Sequence, residues 1–243
     1  MENGLTFIRE DRKIVRRKKE NEKNILSKIN QTDKPKRYSI TWKSVESVEK
    51  YSINRYKNLD QRWVSWREKR IVNRILNHLR SANQTLLDIP TGYGRFTELF
   101  LKNDFSVTNG DLNLYALEYQ QKLHRGSTRV VVSDVNATPF RKNEFDVVFN
   151  FRLLQHFKTS AERLSTLSEL YRVTKRWVVI SVYLESSLHR LNQKLSSRPR
   201  KMTMATTKDW ENEVSESGMK IVDSWWVLRF FHANKIFLLE KQV

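Results

Sequence analysis

The chain has 243 residues, no cysteine and a formal net charge of +18, from 45 Lys and Arg residues against 27 Asp and Glu residues. The lack of cysteine excludes disulfide bonds, thiolate zinc sites and a cysteine nucleophile. No apolar run approaches the ~20 residues of a membrane span, and no apolar stretch follows the basic N-terminal segment as in a secretory signal. We therefore expect a cytoplasmic protein.

The first 82 residues divide into two segments of different composition. Residues 1–37 are rich in lysine and arginine and poor in apolar side chains, which predicts a mobile basic extension. Residues 38–82 form a predicted helical segment that enters the core and covers a ligand pocket, with Trp63 and Arg67 as candidate lid residues. Plain core packing is the alternative explanation for its apolar stripe, which recurs at about helical spacing: Tyr56, Leu59, Trp63, Trp66, Ile71, Ile75 and Leu79.

The remainder, residues 83–243, opens with an apolar run that ends on Asp88 and leads into Ile-Pro-Thr-Gly-Tyr-Gly. This pattern predicts a strand, a ligand-binding loop and the start of a helix. Glycine lets a backbone turn tightly and approach a ligand closely, which gives Gly92 and Gly94 a mechanical purpose. Two glycines after a strand are also compatible with a dinucleotide site, a phosphate loop or an ordinary turn.

Polar side chains also end the next three apolar segments. Asp111 follows the second segment, about 20 residues after the loop, where a βαβ nucleotide site places its ribose-binding acid. Asp134 lies at the end of the third segment, 129–135, and Asn150 ends the fourth, 145–150. The carboxyl ends of parallel strands meet at one edge of a sheet, so these residues are expected to form one site.

This order resembles the class I S-adenosylmethionine-dependent methyltransferases over roughly residues 84–182. The resemblance implies a Rossmann-like, doubly wound α/β sheet of seven strands, mostly parallel, with an antiparallel C-terminal strand pair. It also implies S-adenosyl-L-methionine as the cofactor, with Asp111 on the ribose hydroxyls and Asp134 with the Val135 amide on the adenine edge. The implied cofactor-binding set is Asp88, Pro90, Gly92, Gly94, Asp111, Leu112, Asp134, Val135 and Asn150.

Pro90 departs from the family pattern, because it stands where the first glycine of the loop is usual. Proline has no backbone N–H, so one donor to the cofactor is lost and its neighbours must hold the ligand. This departure leaves open a second hypothesis, a non-catalytic S-adenosylmethionine-binding scaffold or assembly factor. A nicotinamide enzyme is disfavoured because the chain ends in a helix and two strands typical of the methyltransferase sheet.

The acceptor side is predicted from the segments that follow strands four and five. His156 is the candidate general base, although a packing or capping role explains a histidine at that position equally well. In the family's layout an insertion near residues 183–208 covers the acceptor. The other substrate-side candidates are Arg152, Gln155, Tyr183 and His189.

Missing motifs narrow the acceptor class. The sequence after strand four, Asn150-Phe-Arg-Leu, lacks the Pro-Pro turn of enzymes that methylate base nitrogens, and the cysteine of pyrimidine C5 methylation is absent. The acid of ribose 2′-hydroxyl enzymes and the glutamate pair of protein arginine enzymes are not visible either. We therefore expect a small-molecule, saccharide or lipid-linked acceptor that is anionic, with RNA as the alternative. The charge suggests an anionic membrane surface or nucleic acid as further partners, and no metal is expected.

Overall fold

The computed structural model describes residues 42–82, 84–185, 203–228 and 233–242. The predicted basic extension, His189 and most of the predicted insertion lie outside these ranges. Within these ranges, the apolar runs form the strands of one sheet, and the segments between them form helices that pack against it.

The sheet has seven strands in the order β3-β2-β1-β4-β5-β7-β6. The first five strands in this order run parallel, and β7 is antiparallel to both β5 and β6. This confirms the expected Rossmann-like fold with its antiparallel C-terminal pair. The strand bounds are β1 Thr85–Asp88, β2 Ser106–Asp111, β3 Arg129–Val132, β4 Phe145–Asn150, β5 Thr174–Tyr183, β6 Met219–Trp226 and β7 Asn234–Lys241.

Helices precede the sheet and connect its strands. Ser44 caps the first helix, and Thr159 with Glu162 forms a capping box at the fifth. Within the described ranges, no helix is both long and apolar enough to cross a bilayer. The helix bounds are α1 Val45–Asn54, α2 Leu59–Leu79, α3 Thr97–Lys102, α4 Leu114–His124, α5 Ser160–Val173 and α6 Thr207–Glu216, with a 3₁₀ turn at Leu154–His156.

Helix α2 contributes to the core through only part of its predicted apolar stripe. Ile71, Ile75 and Leu79 are buried in the cluster that also holds residues of β1 and β4. Trp66 is 51% exposed, and it precedes Ile71 by five residues, which places the two about 140° apart around the helix. The stripe therefore divides between two faces of α2, and core packing explains only its C-terminal half.

Candidate active site

A cavity of about 500 Å³ lies at the carboxyl ends of β1, β2 and β4. Such an edge is where open α/β sheets bind ligands, because the loops that follow the strands diverge there. The loop after β1 lines the cavity together with Asp88 and Asp111, at the ends of β1 and β2. The segment after β4 and the connection between α1 and α2 complete the lining.

Hydrogen bonds fix the conformation of the loop after β1. The Gly92 N–H donates to Asp111 Oδ2 at 2.8 Å, and the Thr91 hydroxyl donates to Asp88 Oδ2 at 2.9 Å. Gly92 and Gly94 have φ values of +56° and +75°, a region that side chains disfavour. The two glycines therefore allow the loop to turn back onto the end of β2.

Gly94 serves packing and does not line the cavity. A Cβ atom at this position would lie 1.7 Å from Gln120 Nε2. Gln120 is buried on α4, and its Nε2 donates to Thr91 Oγ1 at 3.3 Å. The second glycine thus lets α4 hold the loop from behind.

The two carboxyl groups of the cavity lining are both buried, and burial raises both of their pKa values. The pKa of Asp88 rises to about 8, mainly through burial and further through the Asp111 charge, although the Thr91 hydrogen bond opposes this rise. Burial also raises the pKa of Asp111, against the backbone N–H groups of Asn113 and Gly92 that stabilise its charge. Asp88 therefore retains its proton at neutral pH.

An aromatic wall covers the loop. The Trp42 carbonyl accepts a hydrogen bond from Asn113 Nδ2 at 3.0 Å, and the Tyr51 ring meets the rings of Trp42 and Tyr93 edge-on. The Trp42 Nε1 atom is buried and has no hydrogen-bond partner among the described residues. A buried donor without an acceptor costs free energy, so this indole N–H is suited to a polar ligand atom.

Two arginines of the cavity lining pair with one buried glutamate. Glu68, on the inner face of α2, is fully buried and contacts Arg152 Nη2 at 2.7 Å and Arg95 Nη2 at 2.5 Å. Asn234 Nδ2 also donates to Glu68 Oε1, at 2.7 Å. Although burial acts to raise it, the pKa of Glu68 is held below its usual value by the Arg95 and Arg152 guanidiniums. One carboxylate thus faces two guanidiniums, and the floor of the cavity is positively charged.

Arg95 is the least satisfied group in this cluster. Its side chain is only 9% exposed, and its Nε and Nη1 atoms have no hydrogen-bond partner within the described residues. Its guanidinium lies over the rings of Tyr56 and Phe96, at 4.8 and 4.7 Å from their centroids. Arg55 is a third arginine of the cavity lining, and its Nη1 donates to Gln61 Oε1 at 3.3 Å.

Of the predicted site residues, His189 lies outside the described ranges. The others separate into two groups, those that line the cavity and those that do not. Eight of the predicted residues line the cavity: Asp88, Pro90, Gly92, Asp111, Arg152, Gln155, His156 and Tyr183. The other seven predicted residues within the described ranges do not line the cavity: Trp63, Arg67, Gly94, Leu112, Asp134, Val135 and Asn150.

Several residues of the second group have other positions in the fold. Asn150 is buried and donates to the Ile89 carbonyl at 2.7 Å, which ties β4 to the loop after β1. Asp134 lies beyond the end of β3, where its Oδ1 accepts the Asn136 N–H at 3.0 Å. Arg67 donates through Nε to the Val227 carbonyl at 3.4 Å, and Trp63 is 54% exposed.

The covering residues of the cavity were not predicted as lid residues. Trp42, Tyr51, Arg55 and Tyr56 take that position. Tyr56 belonged to the predicted apolar stripe, but the stripe gave no reason to separate it from Trp63. Arg95 was not predicted either. Its position directly after the second glycine of the loop was the signal that could have indicated a residue of the cavity lining.

The acceptor-side candidates include one group that can exchange a proton near neutral pH. His156 lies at the exposed rim of the cavity, and partial burial lowers its pKa. Gln155 Nε2 donates to the Arg152 carbonyl at 2.6 Å, and burial raises the pKa of Tyr183. Within the described ranges, no group of three or more His, Asp or Glu side chains is arranged to hold a metal ion.

Comparisons with known proteins point to one family. Residues 87–180 match the model of a methyltransferase domain. No curated protein is similar enough in sequence to count as a relative.

Solved structures share the fold at low sequence identity. Magnesium protoporphyrin IX methyltransferase from Synechocystis PCC 6803, with bound S-adenosylhomocysteine, has a TM-score of 0.64 and 14% identity over 76% of this chain and 88% of that chain. An S-adenosylmethionine-dependent methyltransferase from Clostridium acetobutylicum has a TM-score of 0.62 and 13% identity over 82% and 98% of the two chains. One from Methanosarcina mazei has a TM-score of 0.60 and 16% identity over 70% and 97%.

Proposed function

We propose that this chain is a class I S-adenosylmethionine-dependent methyltransferase, because residues 87–180 match a methyltransferase domain, and that it methylates an anionic small-molecule, saccharide or lipid-linked acceptor. When bound, S-adenosylmethionine would supply a methyl carbon attached to a sulfonium: an acceptor oxygen or nitrogen would bond to that carbon in line as the carbon–sulfur bond breaks, and S-adenosylhomocysteine would leave. The protein's part in such a reaction is to orient the two reactants and to exclude water.

The residues of the cavity lining at the ends of β1 and β2 fit the cofactor. Gly92 leaves room for close approach of a ligand, and Asp111 lies at the carboxyl end of β2 as a ribose-binding acid would. The Trp42 indole N–H lacks an acceptor among the described residues. Although Pro90 has no N–H to donate, the Trp42 indole N–H is therefore another donor near the loop.

The arginines of the cavity lining carry the proposal for an anionic acceptor. Arg55, Arg95 and Arg152 line the cavity, and Glu68 compensates only part of their charge. Guanidinium groups bind carboxylate and phosphate through paired, charge-assisted hydrogen bonds. A neutral acceptor would leave the buried Arg95 nitrogens unpaired, which is unfavourable in a desolvated site.

His156 serves this reaction only when the acceptor atom must lose a proton. Partial burial lowers the pKa of His156, so the ring is neutral at physiological pH and able to accept that proton. A carboxylate or phosphate acceptor needs no base. The assignment of His156 therefore depends on which atom receives the methyl group.

The test is a methyl-transfer screen with matched acceptor pairs. Phosphorylated sugars are compared with the parent sugars, and phosphatidic acid with diacylglycerol, using radiolabelled S-adenosylmethionine. We expect transfer only to the anionic member of a pair. Transfer that favours the neutral members, or that occurs only with RNA, would contradict the proposal.

A variant of Arg55 distinguishes acceptor recognition from cofactor recognition. Arg55→Met should raise the acceptor KM by about 10- to 100-fold, the equivalent of a lost charge-assisted hydrogen bond. Its affinity for S-adenosylhomocysteine should not change. Arg141→Met, an exposed arginine outside the cavity lining, is the control. An equal loss of S-adenosylhomocysteine affinity would assign Arg55 to the cofactor's own carboxylate instead.

A further inference from the structure

Helix α2 carries large apolar side chains on the side that faces away from the core. Leu59 is 80% exposed, Trp63 54% and Trp66 51%. The buried residues of the same helix, among them Glu68 and Ile71, lie on the opposite side. Single exposed apolar residues are common on soluble proteins, whereas several of them together on one face mark an interaction surface.

The exposed apolar residues share their face with arginines. At 100° per residue, Leu59, Trp63, Trp66 and Arg70 fall within about 60° of one another around the helix. The Arg70 guanidinium lies 5.3 Å from the Trp66 ring centroid. We call this surface the α2 outer face and define it by its exposed residues Leu59, Arg62, Trp63, Trp66, Arg70 and Arg74.

We propose that the α2 outer face docks this protein onto an anionic membrane surface. Tryptophan and leucine on one helical face enter the boundary between headgroups and acyl chains, while arginines beside them bind lipid phosphates. The net charge of +18 favours the same surface through long-range attraction. Apolar contact and charge therefore act together, which is what reversible peripheral binding requires.

A lipid surface suits this face better than single-stranded nucleic acid does. Bases bind by stacking on free aromatic faces, and Arg70 already covers one face of the Trp66 ring. Leu59, the most exposed apolar residue of the group, has no ring for a base to stack on. It gains free energy only by leaving water for an apolar phase.

Helix α2 also connects this face to the cavity. On its inner side, Glu68 contacts Arg95, and Ser65 Oγ accepts a hydrogen bond from Arg95 Nη2 at 3.0 Å. The chain enters α2 directly from Arg55 and Tyr56, which line the cavity. Because the α2 outer face lies on the opposite side of the helix from Glu68, docking would place α2 between the lipid surface and the cavity. Membrane binding therefore does not rest on the proposed acceptor.

The experiment is vesicle sedimentation with the full-length protein. Vesicles of phosphatidylcholine alone are compared with vesicles that also contain phosphatidylglycerol. We expect binding only to the second kind, and an affinity about tenfold or more lower for the Leu59→Ser/Trp66→Ser variant. Leu123→Ser on α4, where the leucine is 54% exposed, is the matched control and should bind as the wild type does.

Two further measurements keep the outcome unambiguous. Affinity for S-adenosylhomocysteine, measured on every variant, reports folding and tests the cofactor site separately from the membrane surface. Binding to polyuridylate tests the nucleic-acid alternative. The proposal fails if the wild type does not bind anionic vesicles or if the double variant binds them as the wild type does. It also fails if the double variant loses affinity only for polyuridylate.

Discussion

Gly94 lies so close to Gln120 that a Cβ atom at residue 94 would meet Gln120 Nε2 at 1.7 Å. We predict that Gly94→Ala lowers the free energy of unfolding by about 2–4 kcal/mol, because the positive φ becomes strained and the buried amide must move. Displacement of Gln120 also removes its hydrogen bond to Thr91, so S-adenosylmethionine affinity should fall. Urea unfolding and calorimetric titration measure the two effects.

Gly126→Ala is the matched control for this prediction. Gly126 has a φ of +81°, and a Cβ there would meet nothing within 4 Å. The variant should lose only about 1 kcal/mol, from backbone strain alone. Equal losses at Gly94 and Gly126 would show that contact with Gln120 does not matter.

Asp111 is expected to hold the cofactor and the loop together. Its two carboxylate oxygens accept the N–H groups of Gly92 and Asn113, each at 2.8 Å. Asp111→Ala should weaken S-adenosylmethionine binding by roughly 1.5–3 kcal/mol, measured by calorimetry. The exposed Asp223→Ala on β6 should leave it unchanged. Unaltered affinity in Asp111→Ala would mean that another residue binds the ribose.

The buried Asp88 predicts an unusual pH dependence of stability. Its pKa is about 8 in the folded protein and about 3.9 in an unfolded chain, so between these values the folded state retains a proton that the unfolded state has lost. The free energy of unfolding should therefore fall as pH rises through this window, by up to about 1.4 kcal/mol per pH unit. The contribution is complete below about pH 4 and is lost by about pH 8.

Asp88→Asn separates this effect from the other titrating groups. Asparagine resembles the protonated acid and does not ionise, so the slope between about pH 5 and 8 should decrease. Asp111, whose pKa is also raised by burial, leaves a residual slope of the same sign. Urea unfolding at a series of pH values gives both slopes, and identical slopes would refute the assignment to Asp88.

Glu68 is predicted to be the most costly single charge to remove. Glu68→Gln leaves the Arg95 and Arg152 guanidiniums in a desolvated site without their carboxylate, which should destabilise the fold by about 3–5 kcal/mol. Glu98→Gln is the control, because that side chain is 71% exposed and pairs with Lys102 on the surface. Its cost should stay below about 1 kcal/mol. Thermal unfolding compares the two variants.

The fold was predictable because its signals are local in the sequence. Each parallel strand is a short apolar run, and Asp88, Asp111 and Asn150 each end one of them. The order of the strands in the sheet was predicted from the resemblance to a family, because local sequence patterns do not specify which strands are neighbours. The β3 strand ended earlier than expected, at Val132, so Asp134 follows the strand.

The arginine cluster of the cavity lining was only partly predictable. Arg152 was expected on the substrate side, but its partner Glu68 is 84 residues away in the sequence, and Asn234 is 166 residues from Glu68. Such pairs depend on how α2 packs on the sheet, which helical periodicity does not specify. The same periodicity joined Trp66 to Ile71, although five residues of helix turn them to different faces.

His156 gives the last prediction, which separates a catalytic role from a structural one. If His156 removes a proton from the acceptor, kcat/KM should rise with pH up to its pKa, below about 6.5, and then stay constant. His156→Gln should abolish this rise and lower kcat by about 10²- to 10⁴-fold. His78→Gln, exposed on α2, should change neither. If His156→Gln lowers only the Tm and keeps the pH profile, the residue is structural.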